Sequence, residues 1–264
     1  ASIDVLGPEP ARVTPWRSTV LRRGQIFRIS LDGTALSCYL AIAGGFDLDP
    51  CLGSLSTYTR AGLGGFQGRT LIAGDELPLA RCSASDSEDV RLPKPEAFSL
   101  QRPIRITWGM QRDYFTDESL ARFVTEPFSI LPESDRMGYR IAGPRIEHQS
   151  GHDIVSDGIA TGAIQVPGTG NPIVLLADHQ TTGGYPKIAT VISADLPALG
   201  RRKPGQEIRF EVIEVEEAER IRRDREKALC RLEASLEPIK SDVELDLDAL
   251  YGNNLISGAV GIEE

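Results

Sequence analysis

Short apolar runs broken by turn residues fill most of the chain, and the pattern changes only toward the C-terminus. Runs rich in β-branched and aromatic residues at 18–21, 25–29 and 35–42 predict strands, split by Gly24 and by an Asp32-Gly33 hairpin turn. The runs 104–108, 173–177 and 188–192 predict further strands, because each is too short for a buried helix. Turns are expected at Ser134-Asp135, Met137-Gly138, Gly143-Pro144, Pro167-Gly168 and Lys203-Pro204-Gly205. Helical signals are few. Thr116 can cap a short helix over 116–123, whose Asp117 and Glu118 suit its positive end, and Gly200 stops a single turn at 195–200. Residues 214–236 lack Gly and Pro and carry Ala218, Ile221, Leu229, Leu232 and Leu236 at helical spacing. Glu216 with Arg220, and Glu219 with Arg223, stand in the favourable i,i+4 order, so a long exposed helix is predicted there.

The glycines between 53 and 68 predict a loop crossing a barrel mouth, and the Ser/Asp/Glu/Pro-rich stretch that follows predicts an exposed linker. The expected organisation is a first β domain over 1–80, a linker over 81–100, a second β domain over 101–212, and a helix with an acidic tail over 213–264. The apolar end of that tail is expected to dock on a domain or a partner.

With 264 residues, 41% hydrophobic and 25% charged, the chain has ample material for a core. A net charge of −9 argues against a nucleic-acid partner, since phosphate neutralisation needs a basic surface. Cys38, Cys51, Cys82 and Cys230 show no paired spacing and predict reduced, mostly buried thiols. His148, His152 and His179 form no metal-binding frame, so no metal site is expected. No apolar run reaches the ~20 residues of a membrane span and no leader-like start is visible, which makes cytoplasm the expected location and membrane attachment unexpected.

Candidate chemistry concentrates between the runs 173–177 and 188–192, where Asp178, Gln180, Thr181, Thr182, Tyr185 and Lys187 crowd one loop. Lys187 is either a solvated lysine at a strand end or, if the loop folds into a cleft, a proton shuttle or carbonyl clamp. Asp178 is either a turn residue or the group that orients Lys187 or a ligand amide. Gln180, Thr181 and Thr182 offer amide and hydroxyl groups suited to a ureido or lactam ligand. In the segment 134–140, Ser134 and Arg136 either form an ordinary turn or bind an anionic group, with Tyr139 beside them. The hydroxyl-rich stretch 53–60 adds Tyr58 and Arg60 as candidate binding residues. There is no nucleophile elbow, P-loop or dinucleotide fingerprint, and the 62–68 glycines read better as a barrel loop than as a phosphate loop.

Three segments carry a family resemblance: AIAGGFDLDPCLGSLSTYTRAGLGGFQGRTLIAGDELPL (41–79), SDRMGYRIAGP (134–144) and ADHQTTGGYPKIATVISADLPALG (177–200). Together they resemble the second subunit of the allophanate hydrolase and urea amidolyase-related group, which includes the C subunit of 5-oxoprolinase and the carboxyltransferase half of urea carboxylase. The resemblance implies a mostly β protein of tandem cyclophilin-like β-barrel domains, here with a C-terminal helix. Members usually carry a TVQDLGRPG-like segment that this sequence lacks, so Ala1 is expected to begin in mid-domain.

The resemblance further implies a partner of the allophanate hydrolase subunit 1 type, separate or fused. It implies either an ATP-dependent 5-oxoprolinase component opening a lactam or a carboxyltransferase moving CO2 from carboxybiotin to urea, with no covalently bound cofactor. It strengthens Arg136 and Ser134 as binders, while Lys187, Asp178 and Tyr185 stand as the catalytic candidates of the loop. The 5-oxoprolinase-like assembly leads because no biotin-carrier or biotin-carboxylase region is present in this sequence. A non-catalytic regulatory binding protein remains the reading from another class.

Overall fold

The computed structural model describes residues 2–7, 10–31, 33, 36–81, 89–92 and 102–239. Its centre is an eight-stranded sheet, and the order of its strands explains its shape. In chain order the elements here are β5 (Ile104–Trp108), α1 (Asp117–Thr125), β6 (Phe128–Ile130), β7 (Gly138–Ala142), β9 (Ala163–Gln165), β10 (Ile173–Leu175), β12 (Lys187–Val191), α2 (Leu196–Leu199), β13 (Glu207–Ile208) and β14 (Phe210–Val212). The sheet runs β13-β6-β7-β10-β9-β12-β5-β14. Its two edge strands are separated only by Arg209, so one short segment pairs with both ends and curls the sheet into a barrel. Within this sheet only β14 with β5 is parallel. A small two-stranded ladder of β8 (Asp157–Gly158) and β11 (Thr182–Gly183) lies outside the main sheet.

Alternation supplies the core. In β5 the isoleucines 104 and 106 are buried while Arg105 lies between them, and Ile130, Ile141, Ile164 and Ile188 fill the same interior. Phe123 of α1 stacks on Phe210 at 4.7 Å and meets Phe128 at 5.5 Å, which ties the helix to the barrel wall. Thr116 caps α1 as expected, its hydroxyl accepting from the Ser119 amide at 3.2 Å.

The first unit is looser. It holds a three-stranded sheet, β2-β1-β3, of Ser2–Leu6 (β1), Ala11–Val13 (β2) and Ile26–Ser30 (β3), followed by tight turns through 42–79. Ile26, Tyr39, Leu52 and Ile72 stand exposed on it. The run 18–21 and the described part of 35–42 are not strands. Their backbone amides bond elsewhere, Ser18 to the Val90 carbonyl and Leu36 to that of Arg201. The Asp32-Gly33 turn falls partly outside the described residues. Gly68 has φ +66°, and a Cβ there would sit 2.1 Å from the Gly62 carbonyl, so the 62–68 turn packs on itself.

The long helix α3 (Val215–Ala234) buries no residue. Arg223 pairs with Glu219 as expected, whereas Arg220 turns to Glu217 and Asp224 rather than Glu216. Arg225 anchors the helix by donating to the carbonyls of Ser193 and Ala194. Beyond α3, β15 (Glu237–Pro238) pairs with β4 (Val90–Arg91), so part of the expected linker is sheet. The helix, about 30 Å long, thus runs from the barrel's last strand back to a segment bonded to the first unit at Trp16 and Ser18. Cys38, Cys51 and Cys230 are free thiols, but Cys38 and Cys230 are exposed rather than buried. Among the described residues no helix is long and apolar enough to cross a membrane.

One buried charge is held in the barrel wall. Asp195, 1% exposed, accepts from the Arg105 amide at 2.9 Å and from its guanidinium at 2.6 and 3.0 Å. Arg105→Ala would strand that carboxylate and should cost about 3 kcal/mol in urea unfolding. Arg102, 3.6 Å from the same carboxylate and half exposed, should cost under about 1 kcal/mol when truncated. Equal losses would disprove this ranking. Ending the chain at Ile213 should leave the barrel's unfolding midpoint nearly unchanged while amide exchange at 90–92 quickens. A large fall in the midpoint would instead place α3 in the core.

Candidate functional site

The β7–β10 ladder continues past both strands. The Leu176 amide donates to the Met137 carbonyl and the Asp178 amide to that of Arg136, at 3.0 and 2.9 Å. Arg136 and Asp178 therefore face each other, and the guanidinium grips the carboxylate through two bonds of 2.8 and 3.0 Å. That bond raises the proton affinity of Arg136 further. The Asp135 carboxylate caps the turn below, accepting from the amides of Met137 and Gly138, and the Ser134 hydroxyl closes on both backbone groups of Arg140. Arg60 reaches across from the first unit to the Met137 sulfur. All three resembling segments thus meet around Arg136.

Lys187 lies in different company. It opens β12, is 8% exposed, and donates to Asp157 at 2.8 Å. The bond to Lys187, then one from the Gly158 amide, holds the Asp157 carboxyl below its ordinary range. Gln111 accepts from the Lys187 amide at 3.4 Å. Gly109 makes this packing possible, because a Cβ there would fall 2.1 Å from the Lys187 carbonyl. Asp157 and Gln111 line an open groove of about 530 Å³ between residues 110–114 and 154–157, and Lys187 reaches it only through these two partners.

The loop joins the two ion pairs. His179 contacts Thr161 at 3.1 Å, Gln180 donates to Gln165 at 3.4 Å, and the Thr181 carbonyl accepts from the Ile159 amide. Thr182 and Gly183 pair with β8 as β11, and Tyr185 is 41% exposed. Tyr139 is elsewhere: it is buried, with its hydroxyl bonded to the carbonyls of Gly200 and Arg202, and burial raises its proton affinity. Tyr58 sits in a turn of the first unit whose backbone pairs with Leu63. The alternative in which Asp178 orients Lys187 is corrected, since Asp178 is bonded to Arg136 and Asp157 takes the lysine.

Asp157, Gln111 and Gln165 were not singled out from the sequence. Asp157-Gly158 reads as a plain turn, but Gln165 within the apolar AIQV run carried a usable signal.

Chemically, the arrangement offers a nearly buried ammonium bonded to a carboxylate on a groove wall, and a guanidinium with an unspent edge. Both are fixed by carboxylates, and a loop rich in amides and hydroxyls runs between them. A barrel-like sheet with such a loop defines a class. The chain belongs to the carboxyltransferase domain family (subdomains A and B), whose sequence model matches residues 5–212.

It is 40% identical over 211 residues to the C subunit of 5-oxoprolinase from Haemophilus influenzae, covering 80% of this chain and 67% of that protein. It is 30% identical over 255 residues to the urea amidolyase of Lachancea kluyveri, covering 85% and 14%. The chain spans about two thirds of the first of these relatives. The fold also matches the Kluyveromyces lactis urea carboxylase crystal structure, with a TM-score of 0.75, 25% identity, and 90% and 24% of the two chains covered.

Because Asp157 is more acidic in the folded chain, the stability from its pair is complete above the ordinary carboxylate range and lost as pH falls through the lowered value. NMR titration of the Asp157 carboxyl should give a midpoint below the ordinary aspartate value of 3.8 that rises in Lys187→Met. A midpoint at or above that value would show that the pair does not form in solution.

Proposed function

We propose that this chain is a subunit of a 5-oxoprolinase-like amidohydrolase assembly that opens a cyclic amide with ATP, working with a partner of the allophanate hydrolase subunit 1 type. The observation that carries this reading is Lys187, a nearly buried ammonium whose partner Asp157 lines an open groove, in a chain 40% identical to the C subunit of a 5-oxoprolinase. One of its three N–H donors is bonded to Asp157, and the others can polarise the carbonyl of a planar N–C=O group. Gln180, Thr181 and Thr182 supply hydrogen bonds for the amide edge, and Tyr185 flanks them.

Arg136 uses Nε and one Nη2 donor on Asp178. Its outer edge, on a side chain 68% exposed, can take a substrate carboxylate in two parallel bonds. Ser134, Arg60 and Tyr58 belong to this side of the proposed site. Tyr139 supports the wall rather than the ligand. The 62–68 turn does not fit a triphosphate: it is folded on itself and no helix follows it, so no step through ATP is assigned to this chain. Domain limits at 1–80, 81–100, 101–212 and 213–264 remain the proposed division, with 89–92 joined to the first unit by hydrogen bonds.

A carboxyltransferase acting with carboxybiotin on urea is the second reading, favoured by the fold match to urea carboxylase. Both reactions ask the same of Lys187. In an assembly reconstituted with the partner subunit, Lys187→Ala should lower kcat by roughly 10²–10³-fold. Arg136→Ala should mainly raise KM for the carboxylate-bearing lactam. Arg136→Ala should stay within about 1 kcal/mol of the parent in stability, whereas Lys187→Ala also removes a buried stem and should cost about 1–3 kcal/mol while still folding. Turnover of 5-oxoproline with ATP supports the first reading, and turnover of urea with carboxybiotin alone supports the second. Parental activity in both variants would remove these residues from the site.

A further inference from the structure

Four polar residues are buried among the described residues: Ser119, Gln165, Lys187 and Asp195. Ser119 bonds the Glu147 amide near the α1 cap, while Lys187 and Asp195 are ion-paired. Gln165 alone has both side-chain partners in the 178–187 loop. Its Oε1 accepts from the Gln180 amide and its Nε2 donates to the Tyr185 carbonyl, each at 3.4 Å. The Tyr185 carbonyl can only accept, so it fixes which way the Gln165 amide points.

Topology explains this placement. β10 and β12 flank β9 and both run antiparallel to it, so the loop joining them must pass over β9 from its Ala163 end to its Gln165 end. Gln165 is the last residue of β9 and stands opposite Lys187, where the ladder register shifts. The loop rests on it: a Cβ at Gly183 would lie 2.7 Å from Gln165 Nε2. Its strand neighbours Ala163, Ile164 and Val166 are buried and apolar, so an aliphatic residue would suit packing alone. Two bonds at the long limit of hydrogen-bond distance stabilise little against the cost of burying an amide. Fold stability therefore does not account for a glutamine at this position.

We propose that Gln165 is a positioning residue, a post beneath the loop that sets the Gln180 carboxamide and Tyr185 relative to Lys187 and so selects for a planar amide substrate. This rests on the reading of the 178–187 loop as the substrate site. Gln165→Met keeps the volume and removes both bonds, and Gln165→Glu keeps the acceptor for Gln180 while removing the donor to Tyr185.

The test measures amide exchange across 180–185 in the full chain, and kinetics of the reconstituted assembly on 5-oxoproline with ATP, for these two variants and Lys187→Ala. With unfolding midpoints at or above the parent's, Gln165→Met should exchange about tenfold faster over 180–185 and lose about 10²-fold in kcat/KM, as misplacement by an ångström would. Gln165→Glu should recover part of both, and it supplies the same readings if the Met variant does not fold. Unchanged exchange in the folded variants overturns the proposal whatever the kinetics. Faster exchange with parental kcat/KM, while Lys187→Ala is inactive, also overturns it and leaves the site reading intact. Should Lys187→Ala itself retain full activity, the site reading fails, and the positioning role fails with it.

Discussion

The segment 207–212 is the constraint on which the rest of the molecule depends. Glu207 and Ile208 pair with β6, Phe210 to Val212 pair with β5, and the Arg209 carbonyl between them accepts from the Ile104 amide. Without that double pairing the sheet would be an open one with two exposed edges. With it, the isoleucine faces of the strands enclose one interior, and Phe210 meets Phe123 and Phe128 there. Closure also fixes strand order, and strand order forces the loop between β10 and β12 to arch over β9.

The buried charges divide by surroundings. Asp195 is wholly enclosed and fully bonded by Arg105, an arrangement that locks the β5–α2 contact and leaves nothing for a ligand. The Lys187–Asp157 pair is built differently: the lysine stem is buried, but its carboxylate is half exposed beside the groove. Arg136–Asp178 reverses the pattern, with the guanidinium outermost and the carboxylate largely covered. One cation is thus buried beside its acid and the other stands outermost, each paired with an acid from a different part of the chain.

The first unit depends on the rest in another way. Its three-stranded sheet buries little, and its links to the barrel are individual bonds such as Leu36 to Arg201 and Arg60 to Met137. The helix α3 adds a charged strut that ends at β15 on β4. Among the described residues, local bonds and a strut link the units, and the buried apolar cluster lies within the barrel.

Much was legible from the residues in order. The Thr116 cap, the stop at Gly200, the strands at 104–108 and 188–192 and the gapless stretch giving α3 all rest on interactions within a few residues. The three motifs were enough to point to the family. The strands expected at 18–21 and 35–42 failed because β-propensity forms a strand only where a partner edge exists, and their amides found other acceptors. The partner of Lys187 was illegible for a related reason. Asp178, nine positions away, was the natural candidate, whereas Asp157, thirty positions away, was set by register. Gln165 became meaningful only once it lay at the end of a strand beneath a crossing loop. Chain-local chemistry determined which elements form and where polar groups gather. Which acid meets which base was decided by sheet register and closure, because those contacts join residues that only the tertiary fold brings side by side.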